Sequence, residues 1–335
     1  MFLVFFVVIP QFGPEAFVAK TPAWISEALV SISGFKTMSL SGKRLVIFGC
    51  GYVGSAVARA ALAAGATVEA LTRNPDKAAT LREAGLAKVV VAELGSTAWH
   101  AQIAPAPDFV VNCVSSGGPD QYWQSYVVGM QSIVSWAAKA GPVGTMVYTS
   151  STSVYPQGDG AVVDETAWAP GATPNGRTIS ESEVLLKTAP ADAVRRHFIL
   201  RLAGIYGPGR HHLLDQLRTG ADTLNGSGEH RLNLAHCDDI VSAILAGLNA
   251  PESVGSEIFN VADTAPATRA EVVAWLCGQL ERSVPAFDGS TTARRGGAPM
   301  PDRIISSAKI QQVLGWRPKY PDFRAGFGEI LKEEV

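Results

Sequence analysis

The sequence predicts an α/β fold, a doubly wound parallel sheet followed by a smaller C-terminal lobe, and three observations carry that prediction. Short apolar runs alternate with helical stretches from residue 44 onward. A glycine-rich turn joins the first run to the first helical stretch, and the regular alternation stops near Gly204. With 335 residues, 47% of them hydrophobic, the chain can bury one large core or two modest ones.

Taken in order, residues 45–48 read as the first strand, an unbroken apolar run of the kind a sheet covered on both faces requires. The Ala-rich stretch 53–64 reads as the first helix. By the same alternation 67–71 is a second strand, 75–84 a helix, 89–91 a third strand and 109–114 a fourth. Residues 122–140 form a long helix and 145–149 a fifth strand. After a loop rich in Gly, Pro and Asp come a helix at 180–187 and a sixth strand at 198–202. Beyond Gly204 the Gly/Pro-rich stretches at 206–210, 225–228 and 294–301 suit a lobe of loops and short helices. The expected division is a first domain over 40–205 plus about 232–262, and a lobe over 206–231 plus 263–330.

Composition excludes several classes of function. Basic residues number 28 and acidic ones 30, without long runs, so no field attracts nucleic acid or an acidic membrane surface. Cys50, Cys113, Cys237 and Cys277 lie far apart with no C-x-x-C pair, which argues against a metal site and fits a reducing, cytoplasmic setting. The apolar run 2–9 is too short to span a bilayer and lacks the basic residues that open a signal peptide. Met38-Ser39-Leu40-Ser41-Gly42-Lys43-Arg44, leading into an apolar strand, looks like a natural start, so residues 1–37 read as an N-terminal extension foreign to the native protein.

Gly49-Cys50-Gly51-Tyr52-Val53-Gly54 is a G-x-G-x-x-G that follows a strand and opens a helix. In that context the first Gly permits the tight turn, the second lets backbone approach a pyrophosphate and the third lets helix pack on strand, which is the dinucleotide site of a Rossmann domain. Backbone N–H groups and the positive end of the helix dipole then face the phosphates. The second strand ends Thr72-Arg73-Asn74 with no carboxylate to bind a ribose 2′-hydroxyl. Arg73 pairs instead with a 2′-phosphate, Thr72 and Asn74 adding donors, so NADP(H) is expected over NAD(H). Glu93 and Leu94, after the third strand, would border the adenine, and Val114, Leu202 and Gly204 complete the expected cofactor contacts.

From residue 44 to about 330 the chain resembles the extended short-chain dehydrogenase/reductases, the superfamily of the NAD-dependent epimerase/dehydratases. The residues that carry this are Tyr148-Thr149-Ser150-Ser151-Thr152-Ser153-Val154-Tyr155, the stretch from Leu200 to Gly209, Asn233 to Ile240, and Leu314-Gly315-Trp316-Arg317-Pro318. The resemblance implies a Ser at the end of the fifth strand and a Tyr with a Lys four residues later, the Tyr shuttling a proton while the Lys lowers its pKa and binds the ribose. Here Asn175 stands in place of the Tyr and Ile179 in place of the Lys. Neither can titrate, so the usual relay cannot run from these positions. Lys187 stands about 12 Å of helical rise beyond Ile179, too far to serve the same point. The chain therefore resembles an atypical member of the group.

Ser150, Ser151 and Tyr155 are the surviving candidate catalytic groups. His211 and His212 read as solvated loop residues, His236 with Asp238 and Asp239 as a helix start, and Arg294, Arg295 and Arg303 as candidates for an anionic substrate group. The expected activity is that of an NADP(H)-binding oxidoreductase or epimerase/dehydratase-like protein acting on a small carbonyl, hydroxyl or nucleotide-sugar-like substrate. The competing reading is a non-catalytic NADP(H) sensor. The resemblance also implies a homodimer through the two long helices; no metal, nucleic acid or membrane partner is expected.

Overall fold

Four apolar residues in a row cannot alternate between core and water, and in the computed structural model β1 (Arg44–Phe48) lies mid-sheet with Leu45 to Phe48 all buried. The structure describes residues 39–290 and 301–333, which fall in a single compact unit. The expectation for residues 1–37 and the candidates Arg294 and Arg295 lie outside the described residues.

The chain then runs through α1 (Tyr52–Ala63), β2 (Thr67–Thr72), α2 (Pro75–Glu83), β3 (Lys88–Val91) and β4 (Phe109–Asn112). β4 ends two residues before its expected limit, because the Asn112 side chain accepts from the Val114 N–H at 3.1 Å and turns the backbone out of the sheet. The expected long helix opens with a π-helical turn at Gln124–Val128 before continuing as α3 (Gly129–Ala140). After β5 (Val143–Ser151) and β6 (Ala161–Val163), α4 (Pro174–Lys187) starts six residues before the helix expected at 180. The Asn-Gly pair there reads as loop, but Thr173 caps the helix, accepting from Gly176 N–H at 3.0 Å, and Pro174 occupies the first turn.

β7 (Val194–Leu202) and β8 (Gly204–Tyr206) lead to α5 (His212–Arg218), β9 (Thr223–Leu224), β10 (Arg231–Leu232), β11 (Leu234–His236) and α6 (Cys237–Leu248). β12 (Glu257–Val261), β13 (Ala267–Thr268), α7 (Arg269–Gln279), β14 (Ala286–Phe287), β15 (Arg303–Ile305), α8 (Ala308–Leu314) and α9 (Phe323–Glu333) follow. The main sheet has seven parallel strands in the order β12-β7-β5-β4-β1-β2-β3, with the order reversing between β1 and β4. A ligand crevice forms at the carboxyl ends of such strands, at that reversal.

Apolar clusters cover both faces, one around Leu45, Ile47, Val57 and Ile244, the other around Phe48, Trp99, Ile133 and Trp136. A third joins Leu214, Leu217, Val273, Leu276, Phe323 and Phe327, all from segments that follow β8. Arg303 is 3% exposed and donates to the carbonyls of Tyr155, Gln157 and Thr152. It thus ties the start of β15 to the loop after β5, its buried guanidinium engaged by three carbonyls where an anion receptor was expected. His211 is also not solvated: it is buried at the start of α5 with Nδ1 2.8 Å from Asp215 Oδ1, while His212 is exposed. His236 does begin a helix, its Nδ1 accepting from Asp238 N–H at 3.2 Å.

Candidate functional site

The turn between β1 and α1 shows why each glycine is where it is. Gly49 has φ +87°, and a Cβ there would stand 2.6 Å from Val114 N and Cα, so the loop after β4 can cross directly above it. A Cβ on Gly54 would collide with the Gly49 carbonyl oxygen, which makes this the point of closest helix–strand approach. A Cβ on exposed Gly51 would meet nothing within 4 Å, leaving open the space a pyrophosphate needs. Gly51 caps α1 without a side-chain hydrogen bond and the first turn carries no acidic residue. Its first-turn amides are therefore available to an anion, and the residues present fit a dinucleotide.

Around this turn the residues expected to hold a cofactor divide into two groups. Gly49, Gly51, Tyr52, Val53, Gly54 and Val114 gather at the carboxyl ends of β1 and β4. Arg73 is exposed at the end of β2, its Nη1 donating to Gln121 Oε1 at 2.8 Å and its guanidinium lying against Gly117 in the loop after β4. Thr72 and Asn74 make turn contacts: Thr72 Oγ1 accepts from Asn74 N–H, and Asn74 caps α2 by accepting from Lys77 N–H at 3.0 Å. Glu93 is exposed, but Leu94 is buried against Gly129 in the core. Leu202 is buried as well, and Gly204 is exposed beside the Asn233 carbonyl.

Tyr52 joins the glycine turn to the loop after β8. Its hydroxyl donates to the Pro208 carbonyl at 2.9 Å and the Arg210 guanidinium lies 5.6 Å from its ring centre. Burial pushes this phenol well above its usual range. The thiols of Cys50 and Cys113 are pushed by burial up to about 12, and all four cysteines are free. Such thiols stay protonated and inert at neutral pH. Among the described residues no group of three His, Cys, Asp or Glu side chains is placed to hold a metal ion.

At the end of β5 the surviving hydroxyls are turned inward. Ser150 donates to Glu183 Oε1 at 2.6 Å, and the Arg201 guanidinium donates to both Glu183 oxygens, at 2.9 and 2.6 Å. Tyr155 donates to Asn260 Oδ1 at 2.8 Å and accepts from Arg201 Nη1 at 2.9 Å. All five residues are at most 5% exposed. Ser151 is only partly buried, and its hydroxyl caps the short turn that follows by accepting from Ser153 N–H at 3.1 Å. Asn175 stands half-buried in the first turn of α4, and Ile179 one turn later is buried in the core.

Sequence reasoning missed two groups here. One is the Glu183–Arg201 pair, which organises the interior behind β5. The other is a pair of half-buried phenols, Tyr122 and Tyr126, at the start of the helix after β4, with ring centres 4.9 Å apart. Tyr126 packs against both apolar clusters, and burial raises its phenol well above the ordinary range. Its π-helical turn packs on α4. Turns of this kind occur frequently at functional sites.

Residues 45–262 match the family described as the NAD dependent epimerase/dehydratase family. Protein YeeZ of Escherichia coli K12 is 34% identical over 207 residues, which cover 62% of this chain and 68% of that protein. A 3-diazoavenalumate denitrifying reductase from a Streptomyces species is 26% identical over 320 residues, covering 85% of this chain and 98% of the reductase. Among solved structures, a UDP-glucuronic acid 4-epimerase from Bacillus cereus, in complex with UDP-glucuronic acid and NAD, superposes with a TM-score of 0.72. It is 19% identical, with 87% of this chain and 100% of that one covered.

Proposed function

The chain belongs to the NAD-dependent epimerase/dehydratase family, and from that premise we propose that it is an oxidoreductase or epimerase/dehydratase-like protein that binds NADP(H) in preference to NAD(H). Its substrate is a small carbonyl or hydroxyl compound or a nucleotide-sugar-like one. Arg73 carries the cofactor preference: it is a guanidinium at the end of β2, held over the loop after β4, where a carboxylate would repel a 2′-phosphate. The glycine turn and the open first-turn amides of α1 would hold the pyrophosphate. When bound, the dinucleotide supplies hydride chemistry at a carbonyl or hydroxyl carbon.

Fluorescence titration with NADPH and with NADH tests the reading. NADPH is expected to bind about 10–100-fold more tightly, the range of one charge-assisted contact of about 1.5–3 kcal/mol, and Arg73→Glu is expected to abolish that preference. Equal binding of the two would remove the NADP assignment, and binding of neither would remove the enzyme reading with it.

A second reading, a non-catalytic NADP(H) sensor, is favoured by one observation, the Asn and Ile at positions 175 and 179. Cofactor binding that differs between oxidised and reduced forms, without turnover of any carbonyl compound, would select it. We also propose a homodimer through the helices after β4 and β6, where Trp123 and Val184 are 50% and 47% exposed, with light scattering at micromolar concentration as the check. No helix among the described residues is long and apolar enough to cross a membrane. The free thiols support a cytoplasmic location.

A further inference from the structure

A cation that recognises a phosphate must keep its charge free for it, so whatever orients that cation has to be neutral: a carboxylate partner would take up the charge in advance. Arg73 meets this condition. Its Nη1 donates to the side-chain oxygen of Gln121 at 2.8 Å, and among the described residues no carboxylate is in ion-pair contact with it. Gln121 is an amide, which fixes the direction of the guanidinium without compensating it. Among the described residues one of the five N–H groups of Arg73 is hydrogen-bonded in this way, which leaves the others for a ligand.

Gln121 reaches Arg73 across the sheet. β2 and β4 flank β1, so the bond runs from the end of one neighbour to the loop that leaves the other, spanning the strand that carries the glycine turn. The loop is shaped by its own hydrogen bonds: Ser116 Oγ accepts from Gly118 N–H at 3.1 Å, and Gln121 N–H donates to the Gly118 carbonyl at 3.2 Å in the short turn Pro119–Gln121. Gly117 supplies the remaining condition. A Cβ there would collide with Arg73 Nη2 and stand 2.7 Å from Gln121 Oε1, so the guanidinium lies directly against the loop backbone. Gly117 does not have a positive φ, which makes close approach, not backbone conformation, the reason for glycine here.

Resting on the NADP(H) reading above, we propose that Gln121 and Gly117 determine cofactor specificity through Arg73: Gln121 orients the guanidinium, Gly117 gives it room, and its remaining N–H groups are held ready for the 2′-phosphate. Both are positioning residues. An exposed arginine at a strand end samples many rotamers, and ordering it on binding weakens affinity. The bond to Gln121 does that ordering when the chain folds. NADH carries a hydroxyl in place of the 2′-phosphate, so disorder at Arg73 weakens NADPH binding and leaves NADH binding as it was.

The test is a set of paired fluorescence titrations of the full chain with NADPH and NADH. Gln121→Ala is expected to weaken NADPH about 10-fold, the scale of one hydrogen bond to a charged group, with NADH unchanged within about twofold. Gly117→Ala is expected to do the same while folding normally, because only the flexible end of Arg73 has to move. Gln121→Glu places a carboxylate against the guanidinium and is expected to abolish the preference for NADPH as Arg73→Glu does. In an Arg73→Ala background, adding Gln121→Ala is expected to cause no further loss, since Gln121 acts through Arg73. Full NADPH preference in both alanine variants overturns the proposal and leaves the NADP(H) reading standing. Equal losses for the two cofactors, or an additive loss in the double variant, overturn it too, by showing a structural role or a separate one. A wild-type protein that binds NADPH and NADH equally overturns the parent reading and this proposal with it.

Discussion

At Glu183 one buried carboxylate accepts from Ser150 and from two nitrogens of Arg201. Removing one partner of such a pair leaves the other charge unpaired in the interior. Glu183→Leu is therefore expected to cost about 3–5 kcal/mol in urea denaturation, and adding Arg201→Met is expected to recover most of it. A double variant as unstable as the single one would show that the pair is not the cause. None of this was visible from Glu183 itself, which sits among serines and reads as a solvated helix position. Its burial depends on β7, where Arg201 faces it. Arg73 was legible for the opposite reason: its role depends on a strand end and a glycine motif only a few residues away. Ser150 and Tyr155 stood in a recognisable stretch, yet which way their hydroxyls point was decided by Glu183 and Asn260, distant in sequence.

Within elements, the β1–turn–α1 unit could be read almost residue by residue because its geometry is local. It makes a paired prediction. Gly54→Ala forces a methyl into the Gly49 carbonyl and is expected to destabilise the protein by about 1–3 kcal/mol, as overpacking does. Gly51→Ala meets nothing and is expected to leave urea stability unchanged while weakening NADPH binding. Equal stability losses from the two would contradict the separate roles assigned to them. α4 was harder: its first turn contains Asn175 and Gly176, poor helix formers, and the cap at Thr173 together with packing of Gly176 under the Ser153 carbonyl overrides them. The π-helical turn that presents Tyr126 left no trace in the apolar pattern either, since one extra residue in a turn does not break a helical stretch.

Across the whole molecule, the parallel sheet was legible because apolar runs buried on both faces are unmistakable, whereas the two-stranded pairings β6–β15 and β8–β11 join segments too short to carry a pattern. The junction at the ends of β8 and β11 holds Tyr206, His236, Asp239, Asp263, Tyr320 and Asp322 together, and among the described residues Tyr206 Oη, His236 Nε2 and Asp263 Oδ1 are buried and find no hydrogen-bond partner. Burial pushes Asp263 up to about 7 and Asp239 up to about 6, while it pushes His236 down to about 4. A raised carboxyl stabilises the fold fully below its unfolded value near 3.8 and loses that contribution as pH rises through the folded one. Asp263→Asn is accordingly expected to gain stability over the wild type between about pH 4 and 7, at up to about 1.4 kcal/mol per pH unit, and to gain little more above that, in parallel urea titrations. His236 is common to both proteins and cancels, so a pH-independent difference would refute the assignment. The Arg303 tie also has a consequence in time. Its three carbonyl partners at Thr152, Tyr155 and Gln157 precede it by about 150 residues, so a growing chain completes the sheet's central strands long before the loop after β5 can be secured. Maturation of the cleft is then a late event in synthesis, paced by the arrival of the C-terminal segment.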